Sequence, residues 1–180
     1  MSAAGAGTAG ISALLRARIR DVPDYPQPGI LFKDITPLLA DGEAFCAVVA
    51  ELGAGYEGVD KVAGIEARGF ILAAPVACVL GAGFVPVRKQ GKLPAKTYQQ
   101  SYALEYGTAT LEVHTDAFSA GEHVLIVDDV LATGGTAAAT AELVRRCGAT
   151  VAGIVVLLEL GFLAGREKLA DLPIRSLLVV

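Results

Sequence analysis

The sequence predicts one α/β domain built on a mostly parallel sheet, and three observations carry that expectation. Short uncharged runs rich in β-branched residues, Val62 to Ile65, Phe84 to Val87, Val124 to Val127 and Val151 to Leu158, read as strands covered on both faces. They alternate with helical stretches, Gly69 to Leu80 and Thr136 to Gly148, as parallel strands joined by crossover helices require. The chain has 180 residues, 53% of them hydrophobic and 19% charged, enough for one full core and too few for two comfortable ones.

The remaining elements follow in order. Met1 to Gly10 is small and glycine-rich and reads as a frayed tail. Ile11, Leu14, Leu15 and Ile19 repeat at helical spacing and predict a short amphipathic helix ending before Pro23. Pro23, Pro26, Pro28 and Gly29 then force an extended segment through Ile35. Asp41 is placed to cap a second helix with Phe45, Val48, Val49 and Leu52 on one face and its end at Gly53 or Gly55. The uncharged stretch from Gly69 to Val87 approaches membrane-spanning length, but Pro75, Gly81, Gly83 and Pro86 divide it into a buried helix, a turn and a buried strand. Arg88 to Gln100 is basic, polar and interrupted by Gly91 and Pro94, and reads as a mobile loop. Strands over Tyr102 to Tyr106 and Thr108 to Val113, joined at Gly107, flank it. A helix around Ala164 to Leu169 and a last strand over Ile174 to Val179 complete the chain.

The chemistry concentrates after the third of the buried runs. Its strand is expected to stop at Asp128, and a helix begins at Thr136, with Arg145 and Arg146 in its last turn and Gly148 past its end. Ala132, Thr133, Gly134, Gly135 and Thr136 therefore form a strand-to-helix turn. Free backbone N–H groups at a helix start attract anions, and glycines let the backbone approach them closely. A phosphate fits there, with Thr133 and Thr136 as hydroxyl donors. Ionised Asp128 and Asp129 only accept hydrogen bonds, which suits the vicinal hydroxyls of a ribose. The bland alternative is a tight turn beside a solvated acidic pair. The position of the pair, where open α/β sheets bind ligands, weighs against it.

Composition removes several other classes. A formal net charge of −4 leaves no electrostatic footprint for nucleic acid. Cys46, Cys78 and Cys147 are scattered and odd in number, which argues for buried thiols in a reducing compartment rather than disulfides or a zinc site. No basic region followed by an apolar segment opens the chain, so it is not read as a secretory signal, and a cytoplasmic address with no membrane partner is expected. Gly5, Gly7 and Gly10 match a dinucleotide fingerprint, but no strand precedes them. His114 and His123 lack the spacing of a helical metal pair and are expected on the surface or at strand ends. The apolar excess points to a homo-oligomer whose partner covers it.

Val124 to Thr136 resembles, over all thirteen positions, the 5-phosphoribosyl 1-pyrophosphate signature of the type I phosphoribosyltransferases. Three further segments are similar to the adenine phosphoribosyltransferase family in order and spacing. Pro26 to Pro37 matches its purine hood, Gly64 to Phe70 its pyrophosphate loop, and Val87 to Pro94 with Leu104-Glu105-Tyr106-Gly107 its flexible catalytic loop. The resemblance implies the type I phosphoribosyltransferase fold: a single domain with a flexible tail over 1–10, a helix and hood over 11–37 and a flexible loop over 88–107.

It also implies transfer of phosphoribose to adenine, giving AMP and pyrophosphate, by a homodimer. Magnesium is implied as cofactor, held mainly by the substrate. Asp128 and Asp129 would hold the ribose, and the turn from Ala132 to Thr136 the 5′-phosphate. Ala67, Arg68, Arg88, Lys89 and Lys92 would face pyrophosphate, with a cis peptide between Glu66 and Ala67. Glu105 would handle the proton and support base transfer, with Tyr106 packed near the nucleotide. Leu31, Lys33 and Val130 would hold adenine. Lys33 stands where family members often carry arginine, so the positive charge is kept without the planar fork. Two rivals stand beside this: a phosphoribosyltransferase for another purine, disfavoured by the hood and by Leu-Glu-Tyr-Gly, and a non-catalytic regulator, which would need a basic face.

Overall fold

The structure is a computed structural model and describes residues 4–103 and 107–180. These residues divide into two compact units, one reaching to Glu51 and one running from Leu52 to Val180.

The first unit opens with helix α1 (Ala4–Arg18), then strands β1 (Arg20–Pro23) and β2 (Leu31–Asp34), short helix α2 (Thr36–Ala40) and most of helix α3 (Gly42–Gly53). The strands pair antiparallel, Arg20 opposite Asp34 and Pro23 opposite Leu31. The proline-rich segment is thus extended as expected, with a cis Tyr25–Pro26 bond and with Asp24 Oδ1 accepting from Gly29 N at 2.8 Å. Asp41 does cap α3: its Oδ1 accepts from Ala44 N at 3.1 Å, and its Oδ2 pairs with Arg18 Nε at 2.8 Å. Of the stretch expected as a tail, Ala4 to Gly10 belong to α1. Once the apolar turn around Leu14 and Leu15 nucleates a helix, each added residue gains a hydrogen bond without a new nucleation cost.

The second unit holds β3 (Lys61–Ile65), α4 (Arg68–Leu80), β4 (Gly83–Lys89), β5 (Thr97–Ala103), β6 (Thr108–His114), β7 (His123–Leu131), α5 (Gly135–Arg146), β8 (Thr150–Glu159) and β9 (Ile174–Val179). Seven strands form one sheet in the order β5-β6-β4-β3-β7-β8-β9. The run from β4 to β9 is parallel, and β6 and β5 add antiparallel at one edge. Val124, Leu125, Ile126 and Val127 have no exposed surface, which bears out a strand covered on both faces. Burial of such side chains contributes about 1.5–3 kcal/mol each. Among the described residues no helix is long and apolar enough to cross a membrane.

Two readings need correction here. β7 does not stop at Asp128 but continues to Leu131, because β8 supplies partners for it: Asp128 pairs with Val156, Val130 with Leu158 and Leu131 with Glu159. The segment from Arg88 to Gln100 is loop only between Lys89 and Thr97, since β4 runs to Lys89 and β5 starts at Thr97, both hydrogen-bonded to β6. The turn between them is tied down by Glu112, only 2% exposed, whose Oε1 accepts from Lys92 N and Leu93 N at 2.9 Å each. The short helix expected around Ala164 to Leu169 is present as a 3-10 helix, Gly165–Leu169, and a second 3-10 turn, Gly161–Leu163, precedes it. The thiols also differ from expectation. Cys46 and Cys78 are exposed and Cys147 is partly buried, because Cys46 and Cys78 fall on the outward sides of α3 and α4. His114 and His123 sit at strand ends, as expected.

Candidate active site

The parallel register brings the C-terminal ends of β3, β4 and β7 nearly level. Ile65 pairs with Val87, and Gly64 with Val127, so Glu66, Arg88 and Asp128 all emerge along one edge of the sheet. There the chain also turns into α4 and α5, and both helices start without a side-chain cap. The first-turn N–H groups of α5 are thus left for another acceptor. No acidic residue occupies its first turn.

Asp128, Val130, the turn from Ala132 to Thr136 and Val156 line one recess. The turn is tight because Gly134 adopts φ 78°, a left-handed conformation that costs other residues about 1–2 kcal/mol. Thr136 Oγ1 donates to the Tyr102 hydroxyl at 3.2 Å, which ties β5 to the start of α5. Gly69, in the first turn of α4, lies against the acidic pair: a Cβ there would stand 2.7 Å from Asp128 Oδ1 and 3.1 Å from Val127 O. Only a residue without a side chain lets α4 sit this close to the strand end.

The cationic side of the edge is equally ordered. The Glu66–Ala67 peptide is cis, as the resemblance implied. Arg68 reaches Asp129 Oδ2 with Nη2 at 2.8 Å. Glu66 joins β3 to β4, accepting from Arg88 Nε and Nη2 at 3.3 Å and from Lys89 N at 3.1 Å. Arg88 Nη1 also donates to Lys92 O at 3.0 Å. Ala67, Arg68, Arg88, Lys89 and Lys92 therefore belong to one connected edge.

Electrostatics separate the carboxylates into two kinds. Burial, reinforced by the neighbouring Asp129 charge, pushes Asp128 well above the usual carboxylate range. Burial also raises Asp129, with Arg68 pulling the other way. Glu66 and Glu112 behave oppositely. Burial alone would raise both, but the N–H of Lys89 with Arg88 at Glu66, and the backbone N–H groups of Leu93, Gly91 and Lys92 at Glu112, outweigh it and hold them low. Two adjacent buried carboxylates, both raised, make this pair a candidate for function rather than for stability.

Leu31 and Lys33 lie on β2, in the first unit; Leu31 is exposed, and Lys33 Nζ pairs with Asp21 Oδ1 at 2.7 Å. Glu105 and Tyr106 lie outside the described residues. Tyr102 and Glu112 were missed by sequence reading. Tyr102 carries no local signal, and Glu112 sits among apolar neighbours where a strand glutamate usually faces water. Among the described residues no group of three or more His, Cys, Asp or Glu side chains converges on a metal-sized site.

Comparison with known proteins agrees with this geometry. Residues 39–172 match the phosphoribosyl transferase domain family. The chain is 62% identical over its whole length, and over the whole of the relative, to an adenine phosphoribosyltransferase of Nocardioides. An adenine phosphoribosyltransferase of Thermoanaerobacter pseudethanolicus superposes with a TM-score of 0.89 at 52% identity, covering 92% of this chain and 98% of that one. A Saccharomyces cerevisiae adenine phosphoribosyltransferase, solved with an imino-altritol bisphosphate and adenine, superposes with a TM-score of 0.89 at 38% identity, covering 94% and 99%. With a sheet edge, an acidic pair and a glycine turn arranged as that family's signature implies, the chain belongs to the adenine phosphoribosyltransferases, of the type I phosphoribosyltransferase fold.

Proposed function

We propose that the chain transfers the 5-phosphoribosyl group of 5-phosphoribosyl 1-pyrophosphate to N9 of adenine, releasing AMP and pyrophosphate, in purine salvage. The observation that carries this is the single recess joining Asp128 to the uncapped start of α5. A sugar phosphate is the ligand with hydroxyls at one end and an anion at the other. Asp128 and Asp129 take the ribose hydroxyls, and the turn from Ala132 to Thr136 takes the 5′-phosphate.

As the bond to pyrophosphate breaks, the sugar acquires oxocarbenium character, and the acidic pair supports that positive charge. Ala67, Arg68, Arg88, Lys89 and Lys92 receive the leaving anion, Arg68 exchanging its contact with Asp129 for phosphate oxygens. Magnesium, a hard cation that takes oxygen ligands, would be held mainly by the substrate's own phosphates, with the Asp128 and Asp129 carboxylates as the protein oxygens at hand, and would supply positive charge for the leaving group. Leu31, Lys33 and Val130 hold the base, and Glu105 with Tyr106 attends the transfer of the proton and the base. The functional form is a cytoplasmic homodimer. Exposed Ile71 and Val79 on α4 supply the apolar surface that a second copy would cover.

Incubating the protein with the sugar donor, magnesium and a panel of purines tests the reading. AMP formation is expected to exceed nucleotide formation from hypoxanthine or guanine by about 100-fold or more in kcat/KM. Faster turnover of either competitor would transfer the assignment to another purine, and no turnover with any base would remove the enzymatic reading. Glu105→Gln is expected to lower kcat by about 100-fold while AMP binding stays near that of the parent, because its role is realised in the transition state. An unchanged kcat excludes Glu105 from the mechanism.

A further inference from the structure

We propose that Glu159 and Arg166 are positioning residues that hold the 5′-phosphate turn in its binding shape from behind. This rests on the assignment of that turn to the 5′-phosphate. Glu159 ends β8, only 6% exposed, directly paired in register with Leu131, the residue before the turn. The chain then leaves through two 3-10 turns and returns its backbone to the cradle at Gly165. The approach is so close that Gly134 and Gly165 exclude side chains mutually. A Cβ on Gly134 would collide with Gly165 O, and a Cβ on Gly165 would collide with Ala132 O and stand 3.0 Å from Gly134 N.

Backbone pressed on backbone holds its place only if something fixes the outer strand of chain. Arg166, the next residue, does so. Its Nε donates to both oxygens of Glu159 at 2.7 and 2.9 Å, Nη1 to Ile174 O at 3.0 Å and Nη2 to Ser176 Oγ at 3.1 Å. Ser176 Oγ in turn donates to Glu159 Oε2 at 2.5 Å. One guanidinium thus bolts the Gly165 segment to β8 and β9, and Leu160 N, donating to Leu131 O at 2.9 Å, fixes the other end. Ala164 takes φ 50° immediately before the contact, a conformation a non-glycine residue keeps only where its surroundings impose it. Neither Glu159 nor Arg166 lines the recess, so their effect on a ligand passes through Gly165 to Gly134.

The test compares AMP with adenosine, which differ only in the phosphate, by calorimetric or competition binding to the parent protein and to Arg166→Lys, Arg166→Gln and Glu159→Gln. Arg166→Gln is expected to weaken AMP binding about ten-fold and leave adenosine binding unchanged, since a displaced donor set loses affinity steeply with distance. Arg166→Lys, which keeps the charge but not the fork, is expected to fall between, and Glu159→Gln to follow Arg166→Gln. A role in stability alone would lower Tm and leave the AMP-to-adenosine affinity ratio of the folded protein at the parent value, and that result overturns the proposal. Thr133→Val with Thr136→Val serves as the reference. If this pair also leaves the ratio unchanged, the assignment of the turn to phosphate fails; if it lowers the ratio while the Arg166 and Glu159 variants do not, only the positioning role fails.

Discussion

Replacing Asp128 and Asp129 together by asparagine is expected to lower kcat/KM by about 10³, the scale on which enzymes lose rate when groups stabilising transition-state charge are removed. Asparagine keeps the shape of aspartate, so the sheet edge and the recess should persist. On the proposed reading it places an amide donor where ribose hydroxyls would need acceptors, and it removes the negative charge that would face the sugar cation. It also releases Arg68, whose guanidinium stands 2.8 Å from Asp129 Oδ2. Steady-state kinetics of the folded double variant decide the matter, and near-parental turnover would refute the role of the pair.

The single change Asp128→Asn carries an opposite expectation for stability. Burial and the Asp129 charge raise the Asp128 pKa in the folded protein. A carboxyl with a raised folded pKa binds its proton more tightly folded than unfolded, so its favourable contribution is present in full below the unfolded pKa. That contribution is lost as pH rises through the folded pKa, and the ionised form opposes folding at neutral pH. Asp128→Asn removes the ionisation and is therefore expected to raise Tm at pH 7, with the gain shrinking as the solution is acidified toward the ordinary carboxylate range. Thermal melts across that range read the sign directly. A more stable, inactive variant is the expected signature of a site that gives up stability for function.

Gly134→Ala should have the next largest effect. Its φ of 78° costs an alanine about 1–2 kcal/mol. The added methyl would also meet Gly165 O, a backbone carbonyl that cannot swing aside as a flexible side chain would. The turn must shift to make room, carrying the phosphate-facing N–H groups with it. The KM for the sugar donor is expected to rise by about 100-fold, since displacements of about 1 Å have consequences of that order. Gly121→Ala separates the two causes: it has a φ of 85° with nothing within 4 Å of its Cβ position, so it should lower Tm and leave the donor KM unchanged.

Much of the chain was legible because its signals are local. Asp41 announces the start of α3 through a cap spanning three residues, and the β-branched runs at Val62 and Val124 announce strands through burial on both faces. The acidic doublet and its glycine turn suggest the proposed ligand site because both halves lie within nine residues. The misread places depend on partners remote in sequence. Asp128 to Leu131 became strand because β8 lies beside them, and Thr97 to Ser101 because β6 does. Glu112 reads as an ordinary strand glutamate until the Lys92 turn folds over it.

What the residues alone determined was the kind of element most segments form and the free N–H donors of the glycine turn, since backbone propensity and donor chemistry act over a few positions. Only the tertiary structure decided that Arg68 faces Asp129, that Gly69 admits α4 against Asp128, and that Gly165 and Arg166 stand behind the turn from Ala132 to Thr136. These are contacts between strand ends whose register is set by side-chain packing across the whole sheet, and no local stretch of chain encodes that register.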